Sequence, residues 1–268
     1  MLIKYDLDDK GTGHVFDRKK LICSETTQFQ KIEISDLDIL GRVLVLDNII
    51  QLSELDCDRY HEVFAHIPMS NVSNPKKVLI LGGGDGILAK ELLKYNECTV
   101  DMVDIDQRVC ELSKKHLYSM HESSFDSPLL NVVFEDAINF CKRSTSKYDV
   151  IFGDITDPHP DSPSSSLMSE EAIAIYKNLL TPNGIFVVQT DNVQIANDYY
   201  KRIRNKLQKS YKNTGCFGTI ALTLSSVFSF VWATDGEPIM PKTVKVKTNW
   251  LNDERVRLCH DIIRLATE

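Results

Sequence analysis

The sequence predicts an α/β protein in which a small all-β domain precedes a larger domain with a mostly parallel sheet. Two observations lead to this prediction. Short strand-like runs separated by turn residues fill residues 1–55, and from residue 77 onward strand-like and helix-like segments alternate. A chain of 268 residues is long enough for one large domain with a small companion. We therefore predict a β-strand domain at residues 1–55 and an α/β domain at residues 56–268.

The first domain is predicted from three short runs rich in Val, Ile and Leu. These runs are FQKIEIS, RVLVLD and IIQLSE, and turn residues separate them. A helical pattern follows, from Asp56 to Pro68. The polar segment 71–77 then links this region to the alternating part of the chain.

The second domain begins with KVLIL, a continuous apolar run typical of a strand that is buried on both faces. The runs TVDMV, NVVF, YDVIFG and IFVVQ follow as further strands, with an amphipathic helical segment between each pair. The last of these helices has Ser169 as its expected N-cap. A helix over about 196–209 precedes CFGTIAL and VFSFVWAT, which we expect to pair antiparallel.

Composition argues against several classes of partner. The net charge is −7 and no basic stripe occurs, so we expect no nucleic acid partner. No run approaches the roughly 18 apolar residues of a membrane helix, and acids stand where a signal peptide would be apolar, which predicts a cytoplasmic protein without a membrane partner. The seven cysteines are scattered and contain no C-x-x-C, which favours reduced thiols over disulfides or a zinc site.

Acidic residues follow four of the predicted parallel strands. They are Asp85, Asp104, Asp136 and Asp154. Because the carboxyl ends of parallel strands meet at one edge of a sheet, and ligands bind at that edge, we expect these carboxylates to share one site.

The segment LGGGDG follows a predicted strand and opens a helix. Gly82, Gly84 and Gly86 fit G-x-G-x-G, but the dinucleotide pattern G-x-G-x-x-G fails at Ile87. Glycines let the backbone approach a ligand closely, whereas Asp85 inside the loop would repel a pyrophosphate. The alternative is a tight strand-to-helix turn that binds no ligand.

Asp104 stands 22 residues after Gly82, where an acid is suited to accept hydrogen bonds from ribose hydroxyls. Its alternative role is a helix N-cap. Together with the glycine loop, it indicates an adenosine-type ligand without a diphosphate, such as an S-adenosyl compound. Asp136 and Ala137 could bind an adenine ring, and a helix cap is an equally good interpretation of Asp136.

Other catalytic patterns fit less well. His61 and His66 stand five residues apart, so they do not share a helix face as the histidines of a zinc protease do. The segment SPSSS lacks the G-x-S-x-G of a serine nucleophile. Gln189, at the end of the fifth strand, either lines a substrate site or is a satisfied strand-end residue.

Four segments carry a family resemblance: VLVLDNIIQLSELDCDRYHEVFAHIP, VLILGGGDGILAKELLK, VDIDQRVCELSKK and DVIFGDITDP. In this order they resemble the polyamine aminopropyltransferases, the family of spermidine, spermine and thermospermine synthases. The resemblance extends from about residue 20 to the C-terminus. It implies a Rossmann-like, methyltransferase-type catalytic domain and a homodimer or homotetramer.

The resemblance also implies a reaction in polyamine biosynthesis. An aminopropyl group would pass from decarboxylated S-adenosylmethionine to an amine, putrescine or spermidine, with release of methylthioadenosine. Neither a metal nor another cofactor is implied.

Site residues follow from the matching motifs. The cosubstrate would be held by Gln30, His61, Gly82, Gly84, Asp85, Asp104, Asp136 and Ala137. Within this set, Asp85 would bind the aminopropyl ammonium, Asp104 the ribose, and Asp136 with Ala137 the adenine. The acceptor amine would lie against Tyr60 and Asp157, with Gln189 as a further candidate, and Asp154 would be the catalytic base.

Physical chemistry supports two of these roles. Intact S-adenosylmethionine carries a carboxylate that Asp85 would repel, whereas the decarboxylated form offers an ammonium with which Asp85 would pair. The acceptor must attack as a neutral amine. With a pKa near 10, only about one aliphatic amine in a thousand is neutral at pH 7, so a positioned carboxylate such as Asp154 must take the proton.

The chain departs from the family pattern at two places on the acceptor side. Thr223 stands where many members have a tyrosine, and HPDSPSSSLM follows Asp157-Pro158 in place of the usual segment. These departures favour spermidine or another longer amine over putrescine. Two alternatives stay open: an S-adenosylmethionine-dependent methyltransferase, which Asp85 disfavours, and a non-catalytic polyamine- or nucleoside-binding regulatory homologue.

Overall fold

The computed structural model describes residues 1–5, 13–156, 163–193, 197–223 and 226–267. Asp157, the predicted acceptor ligand, lies outside the described residues, as do residues 159–162 of the unusual segment that follows it. The described residues include Gln189 and Thr223. They also include the four acids that follow the parallel strands, Asp85, Asp104, Asp136 and Asp154.

The N-terminal region forms a five-stranded antiparallel sheet in simple chain order. Its strands are β1 (Leu2–Tyr5), β2 (His14–Thr26), β3 (Lys31–Leu37), β4 (Gly41–Leu46) and β5 (Ile49–Ser53). The three predicted strands correspond to β3, β4 and β5, whose residues Ile32, Ile34, Leu44 and Ile50 are buried. The first sheet ends at Ser53 and the next helix begins at Cys57, and the domain boundary predicted between residues 55 and 56 stays a prediction.

The rest of the described chain builds a seven-stranded sheet in the order β11-β12-β10-β9-β6-β7-β8. The strands are β6 (Lys77–Gly82), β7 (Thr99–Asp104), β8 (Leu130–Phe134), β9 (Tyr148–Asp154), β10 (Leu180–Asn192), β11 (Asn213–Ala221) and β12 (Ser226–Thr234). Strands β6 to β10 are parallel, while β11 and β12 pair antiparallel as predicted. This is the predicted architecture: a mostly parallel α/β sheet behind an all-β N-terminal domain.

The helices are α1 (Cys57–Met69), α2 (Ile87–Leu92), α3 (Gln107–His116), α4 (Tyr118–His121), α5 (Ala137–Arg143), α6 (Glu170–Leu179), α7 (Asn197–Ser210) and α8 (Asp253–Thr267). Short 3-10 turns cover Ser124–Asp126 and Pro163–Met168. The predicted N-cap Ser169 is confirmed, because its Oγ accepts a hydrogen bond of 3.1 Å from the N–H of Ala172. In the described ranges, no helix is both long and apolar enough to cross a membrane.

Strand β6 lies in the interior of the sheet and is buried on both faces. Val78, Leu79, Ile80 and Leu81 are at most 1% exposed, which accounts for the continuous apolar run in the sequence. Strand β6 pairs with β7 on one side and with β9 on the other. The ends of these three strands therefore lie side by side, and they carry Asp104, the glycine loop and Asp154.

Several elements differ from the sequence prediction, among them β1 and β2, which do not correspond to any of the three predicted runs. Strand β10 begins at Leu180, ahead of the predicted run IFVVQ, and its register shifts between Leu180 and Ile185. Helix α8 was not predicted. It packs on β11 at Gly218, where a Cβ atom would lie only 2.4 Å from Cδ1 of Ile263.

Candidate active site

The glycine loop starts where β6 meets β9, at a point with no room for a side chain. Gly82 is paired with Asp154 in the parallel register and has a φ of +86°. A Cβ atom on Gly82 would lie 2.1 Å from the main-chain oxygen of Asp154, and the N–H of Gly83 donates to that same oxygen at 3.1 Å. The loop is thereby fixed directly against the end of β9, with Asp154 beside it.

The next part of the loop lies against Asp104, at the end of β7. A Cβ atom on Gly84 would lie 2.7 Å from Oδ2 of Asp104, so a larger residue would displace that carboxylate. The other carboxylate oxygen of Asp104 accepts a hydrogen bond of 2.8 Å from the N–H of Asp106. Gly82 and Gly84 therefore bring the main chain of the loop against both Asp154 and Asp104.

Asp85 projects from the loop toward helix α1. Its Oδ1 accepts a hydrogen bond of 2.7 Å from the N–H of Ile87 and lies 4.0 Å from Nε2 of His61. The other ring nitrogen of His61, Nδ1, is 2.8 Å from the main-chain oxygen of Cys57. Because a carbonyl oxygen only accepts, Nδ1 must carry a proton. In the neutral ring, Nε2 is then an unprotonated nitrogen that faces the carboxylate.

His61, Asp85 and Asp154 form one cluster. One nitrogen or oxygen atom from each residue lies within 4.8 Å of the others. Among the described residues, Oδ2 of Asp154 has no hydrogen-bond partner, and it is inaccessible to solvent although the residue as a whole is partly exposed. Such an arrangement of acceptors can hold a cation, whether an ammonium group or a metal ion.

The three carboxyl groups around the loop oppose one another's ionisation. Burial raises the pKa of Asp154 well above its usual range, and the charges of Asp85 and Asp104 raise it further. Burial also raises the pKa of Asp85, against the effect of His61. It raises the pKa of Asp104 to about 6, despite a hydrogen bond from the main chain of Asp106. A cationic ligand would relieve this repulsion.

The N-terminal sheet reaches this site through Gln30. Its Nε2 donates a hydrogen bond of 3.1 Å to Oδ2 of Asp106, and Oγ1 of Thr27 donates to the same oxygen at 2.8 Å. Asp106 also caps α3 by accepting a hydrogen bond from the N–H of Arg108. Gln30 is thus linked to Asp104 through Asp106, whose N–H donates to Oδ1 of Asp104. The role of Asp106 was not predicted, although its place in VDID just ahead of a helix is typical of a cap.

Asp136 and Ala137 lie at the end of β8, beyond β7 from the glycine loop. Oδ1 of Asp136 accepts a hydrogen bond of 2.9 Å from the N–H of Asn139, so it caps α5 as the alternative interpretation required. Ala137 is the first residue of that helix and is buried. Contact of this pair with an adenine ring stays a prediction.

Of the predicted acceptor residues, Tyr60 lies on helix α1 and Gln189 lies on strand β10. The half-buried ring of Tyr60 packs edge-on against His61, with 4.9 Å between ring centroids, and also against Phe228 and Phe230. Gln189 is buried, and its Nε2 donates a hydrogen bond of 2.6 Å to the main-chain oxygen of Ile155. Gln189 therefore supports the segment just after Asp154, as a strand-end residue would. Contact with a substrate stays a prediction for both.

A buried polar cluster at Thr223 was missed by the sequence analysis. The N–H of Thr223 donates a hydrogen bond of 2.9 Å to Oδ2 of Asp56, and the hydroxyl groups of Thr223 and Ser53 both bond to Oδ1 of Asp56. Asp56 stands at the N-cap of α1 but makes no cap hydrogen bond with its side chain. A cavity of about 10 Å³, roughly the room that one water needs, lies between this cluster, Tyr60 and His61.

Comparison with known proteins identifies the family. Residues 57–242 match the model of the spermine/spermidine synthase domain, and residues 4–54 match that of the spermidine synthase tetramerisation domain. The chain belongs to the spermine/spermidine synthase family.

Curated relatives of this family member include several named polyamine aminopropyltransferases. One from Aeropyrum pernix is 36% identical over 230 residues, which cover 85% of this chain and 72% of the relative. One from Sulfolobus acidocaldarius is 32% identical, covering 90% of this chain and 78% of the relative. One from Pectobacterium carotovorum is also 32% identical, covering 87% of this chain and 81% of the relative.

Solved structures of the family have the same fold. A spermidine synthase in complex with the transition-state analogue AdoDATO superposes with a TM-score of 0.91 at 25% identity, covering 100% of this chain and 94% of that one. The spermidine synthase of Thermotoga maritima gives a TM-score of 0.89 at 25% identity, with the same coverage. The fold predicted from the sequence is thereby confirmed.

Proposed function

We propose that this chain transfers an aminopropyl group from decarboxylated S-adenosylmethionine to an amine and releases methylthioadenosine. The observation that carries this proposal is the partly buried carboxyl of Asp85 inside the glycine loop, facing His61 at 4.0 Å and close to Asp154. A carboxylate at this place suits a ligand whose tail is cationic. It opposes intact S-adenosylmethionine, whose carboxylate would be brought near Asp85, and so disfavours a methyltransferase.

The nucleoside part of the cosubstrate would lie along the ends of β6, β7 and β8. Gly82 and Gly84 bring the loop against Asp154 and Asp104, and the ionised Asp104 would accept hydrogen bonds from the ribose. Asp136 and Ala137 would contact the adenine. Gln30 would close the site from the N-terminal sheet, supported by the Asp106 carboxylate that also caps α3.

Asp154 would serve as the catalytic base. The attacking amine nitrogen forms a bond to the aminopropyl carbon next to sulfur, and the carbon–sulfur bond breaks with its electron pair on sulfur. The amine proton passes to Asp154. Because burial and two neighbouring carboxylates raise its pKa, Asp154 is a stronger base than an exposed aspartate. Tyr60 and Asp157 would hold the amine in line with the sulfur, a contribution from proximity.

We further propose spermidine, or another longer amine, as the preferred acceptor. Thr223 is short, 1% exposed and bonded to Asp56. No ring from this position would contact the amine. The unusual segment after Asp157 supports the same proposal.

The assembly and location are proposals as well. The match of residues 4–54 to a tetramerisation domain supports a homo-oligomer built through the N-terminal sheet. Whether this is a dimer or a tetramer is a question for sedimentation analysis of the purified chain. A cytoplasmic location stays a prediction.

Product analysis tests the proposed reaction. The protein is incubated with decarboxylated S-adenosylmethionine and, in separate reactions, putrescine, spermidine, cadaverine and agmatine, and methylthioadenosine is measured. We expect release with at least one amine and fastest release with spermidine. If no amine releases methylthioadenosine although the nucleoside binds, the chain is a non-catalytic binder, and turnover only with intact S-adenosylmethionine would indicate a methyltransferase.

A further inference from the structure

We propose that His61, Asp85 and Asp154 also bind a divalent transition-metal ion such as Zn²⁺, at the position of the aminopropyl group. Such an ion inhibits the enzyme by excluding its cosubstrate. The metal site itself is inferred from the geometry of these three residues, and only the competition with the cosubstrate rests on the proposed function.

The orientation of His61 is that of a metal ligand. Its side chain is only 4% exposed, and Nδ1 donates to the main-chain oxygen of Cys57 at 2.8 Å. In the neutral ring, this hydrogen bond fixes the tautomer in which the lone pair of Nε2 is free to bind a metal ion. Histidines that bind metals in proteins are commonly held in this way by a carbonyl or carboxylate at the other ring nitrogen. In the described part of the chain, Nε2 makes no hydrogen bond, and Oδ1 of Asp85 lies 4.0 Å from it.

Asp154 supplies a second unsatisfied atom. Its Oδ2 is inaccessible to solvent and has no hydrogen-bond partner among the described residues. An unpaired buried carboxylate oxygen costs free energy that a bound cation recovers. Asp85 supplies the third ligand from the glycine loop, where its Oδ1 accepts a hydrogen bond from the N–H of Ile87.

Charge favours a doubly positive guest over a singly positive one. Besides Asp85 and Asp154, Asp104 contributes a third carboxyl, whose Oδ2 lies against Gly84 of the same loop. The proposed cosubstrate carries two positive charges, on its sulfonium and its ammonium. A divalent ion matches this charge in a smaller volume.

The ligand set selects the class of metal. One imidazole nitrogen and two carboxylate oxygens suit Zn²⁺ and its neighbours in the first transition row, whereas Mg²⁺ and Ca²⁺ prefer oxygen ligands alone. The ligand atoms span up to 4.8 Å, whereas the edge of a tetrahedral zinc site is about 3.4 Å. The two carboxylates must therefore close on the ion by rotating their side chains, which the loss of their mutual repulsion favours.

Calorimetric titration with Zn²⁺ tests the site without reference to activity. The full-length protein is stripped of metal with a chelator, desalted and titrated. We expect one ion per chain at this site and at least a tenfold weaker dissociation constant in the variants Asp154→Asn, Asp85→Asn and His61→Ala. Asp261→Asn, which removes an exposed carboxylate from α8, is the matched control and should bind like the parent protein. Thermal unfolding confirms that each variant is folded.

Two results would overturn the metal site. One is undiminished Zn²⁺ binding in all three folded variants. The other is a cobalt-substituted protein whose spectrum shows thiolate ligands, since that would assign the ion to cysteine. The competition is tested separately, because decarboxylated S-adenosylmethionine should raise the apparent dissociation constant for Zn²⁺. Metal binding at these residues without competition would contradict the proposed placement of the aminopropyl group, whereas normal turnover without metal binding would contradict this inference alone.

Discussion

The main-chain oxygen of Asp154 lies where a side chain on Gly82 would have to stand, because a Cβ atom on Gly82 would be 2.1 Å from it. Asp154, which we propose as the base, and Gly82, which opens the glycine loop, therefore fix each other's position. Since the obstacle is backbone rather than a flexible side chain, neither partner can move without shifting β6 or β9.

Gly82→Ala should therefore lower activity as well as stability. The alanine would adopt a φ of +86°, which costs about 1–2 kcal/mol, and would also push the end of β9 away. We expect kcat/KM to fall at least a hundredfold. Gly41→Ala is the matched control, since Gly41 also has a positive φ, of +69°, but would meet only the side chain of Glu54. Equal losses of activity in the two variants would contradict this account of the loop.

Asp85→Asn should change the choice of cosubstrate. Removing the negative charge weakens the contact with the ammonium group and lifts the repulsion of a carboxylate. We expect the affinity for decarboxylated S-adenosylmethionine to fall by about tenfold to a hundredfold, and the affinity for intact S-adenosylmethionine to rise. Calorimetry with both ligands measures the two changes. A parallel loss of both affinities would mean that Asp85 only shapes the loop.

Asp104 should make stability depend on pH. In the unfolded chain this carboxyl ionises near 3.8, whereas burial raises its pKa in the fold to about 6. The folded state then binds more protons between these pH values, so the free energy of unfolding falls as pH rises from about 4 to about 6. Asp104→Asn should remove this loss and stabilise the protein by about 2–3 kcal/mol at pH 7.5, while weakening nucleoside binding.

Urea denaturation at pH 4.5 and pH 7.5, with methylthioadenosine titrations at each pH, checks the prediction for Asp104. The exposed Asp261→Asn variant serves as the control and should leave both quantities unchanged. An Asp104→Asn protein that is less stable than its parent at pH 7.5 would show that the ionised carboxylate stabilises the fold.

Thr223→Val should destabilise the protein through Asp56. The substitution keeps the shape of the side chain but removes its hydroxyl, one of three donors to the buried Asp56 carboxylate. Hydrogen bonds to charged groups contribute about 1.5–3 kcal/mol, so we expect a loss of that size in the free energy of unfolding. Thr243→Val removes an exposed hydroxyl that bonds to Asp253 and should cost less than about 0.5 kcal/mol. A difference too small to measure between the two variants would argue that the Asp56 cluster has other support.

The meeting of Asp85, Asp104 and Asp154 could be predicted because each follows a continuous apolar run, and parallel strands end at a common edge. The cluster of Asp56 with Thr223 could not be predicted, since 167 residues separate the partners and neither stands in a ligand-like motif. Strand β2 was missed for another reason. Its residues are partly or fully exposed along the whole strand, so the sequence carries no clear alternation of apolar and polar positions. Asp136 and Gln189 had two interpretations each. Only the fold revealed that Asp136 caps α5 and that Gln189 donates a hydrogen bond to the main-chain oxygen of Ile155.

Turnover by Asp154→Asn, measured together with nucleoside affinity, tests the central claim most directly. If Asp154 takes the proton from the amine, kcat should fall by about 10²–10⁴ while the dissociation constant of methylthioadenosine stays within about twofold of the parent value. Unchanged kcat would contradict the assignment of the base. A loss of nucleoside affinity as large as the loss of turnover would instead make Asp154 a structural or cosubstrate-binding residue.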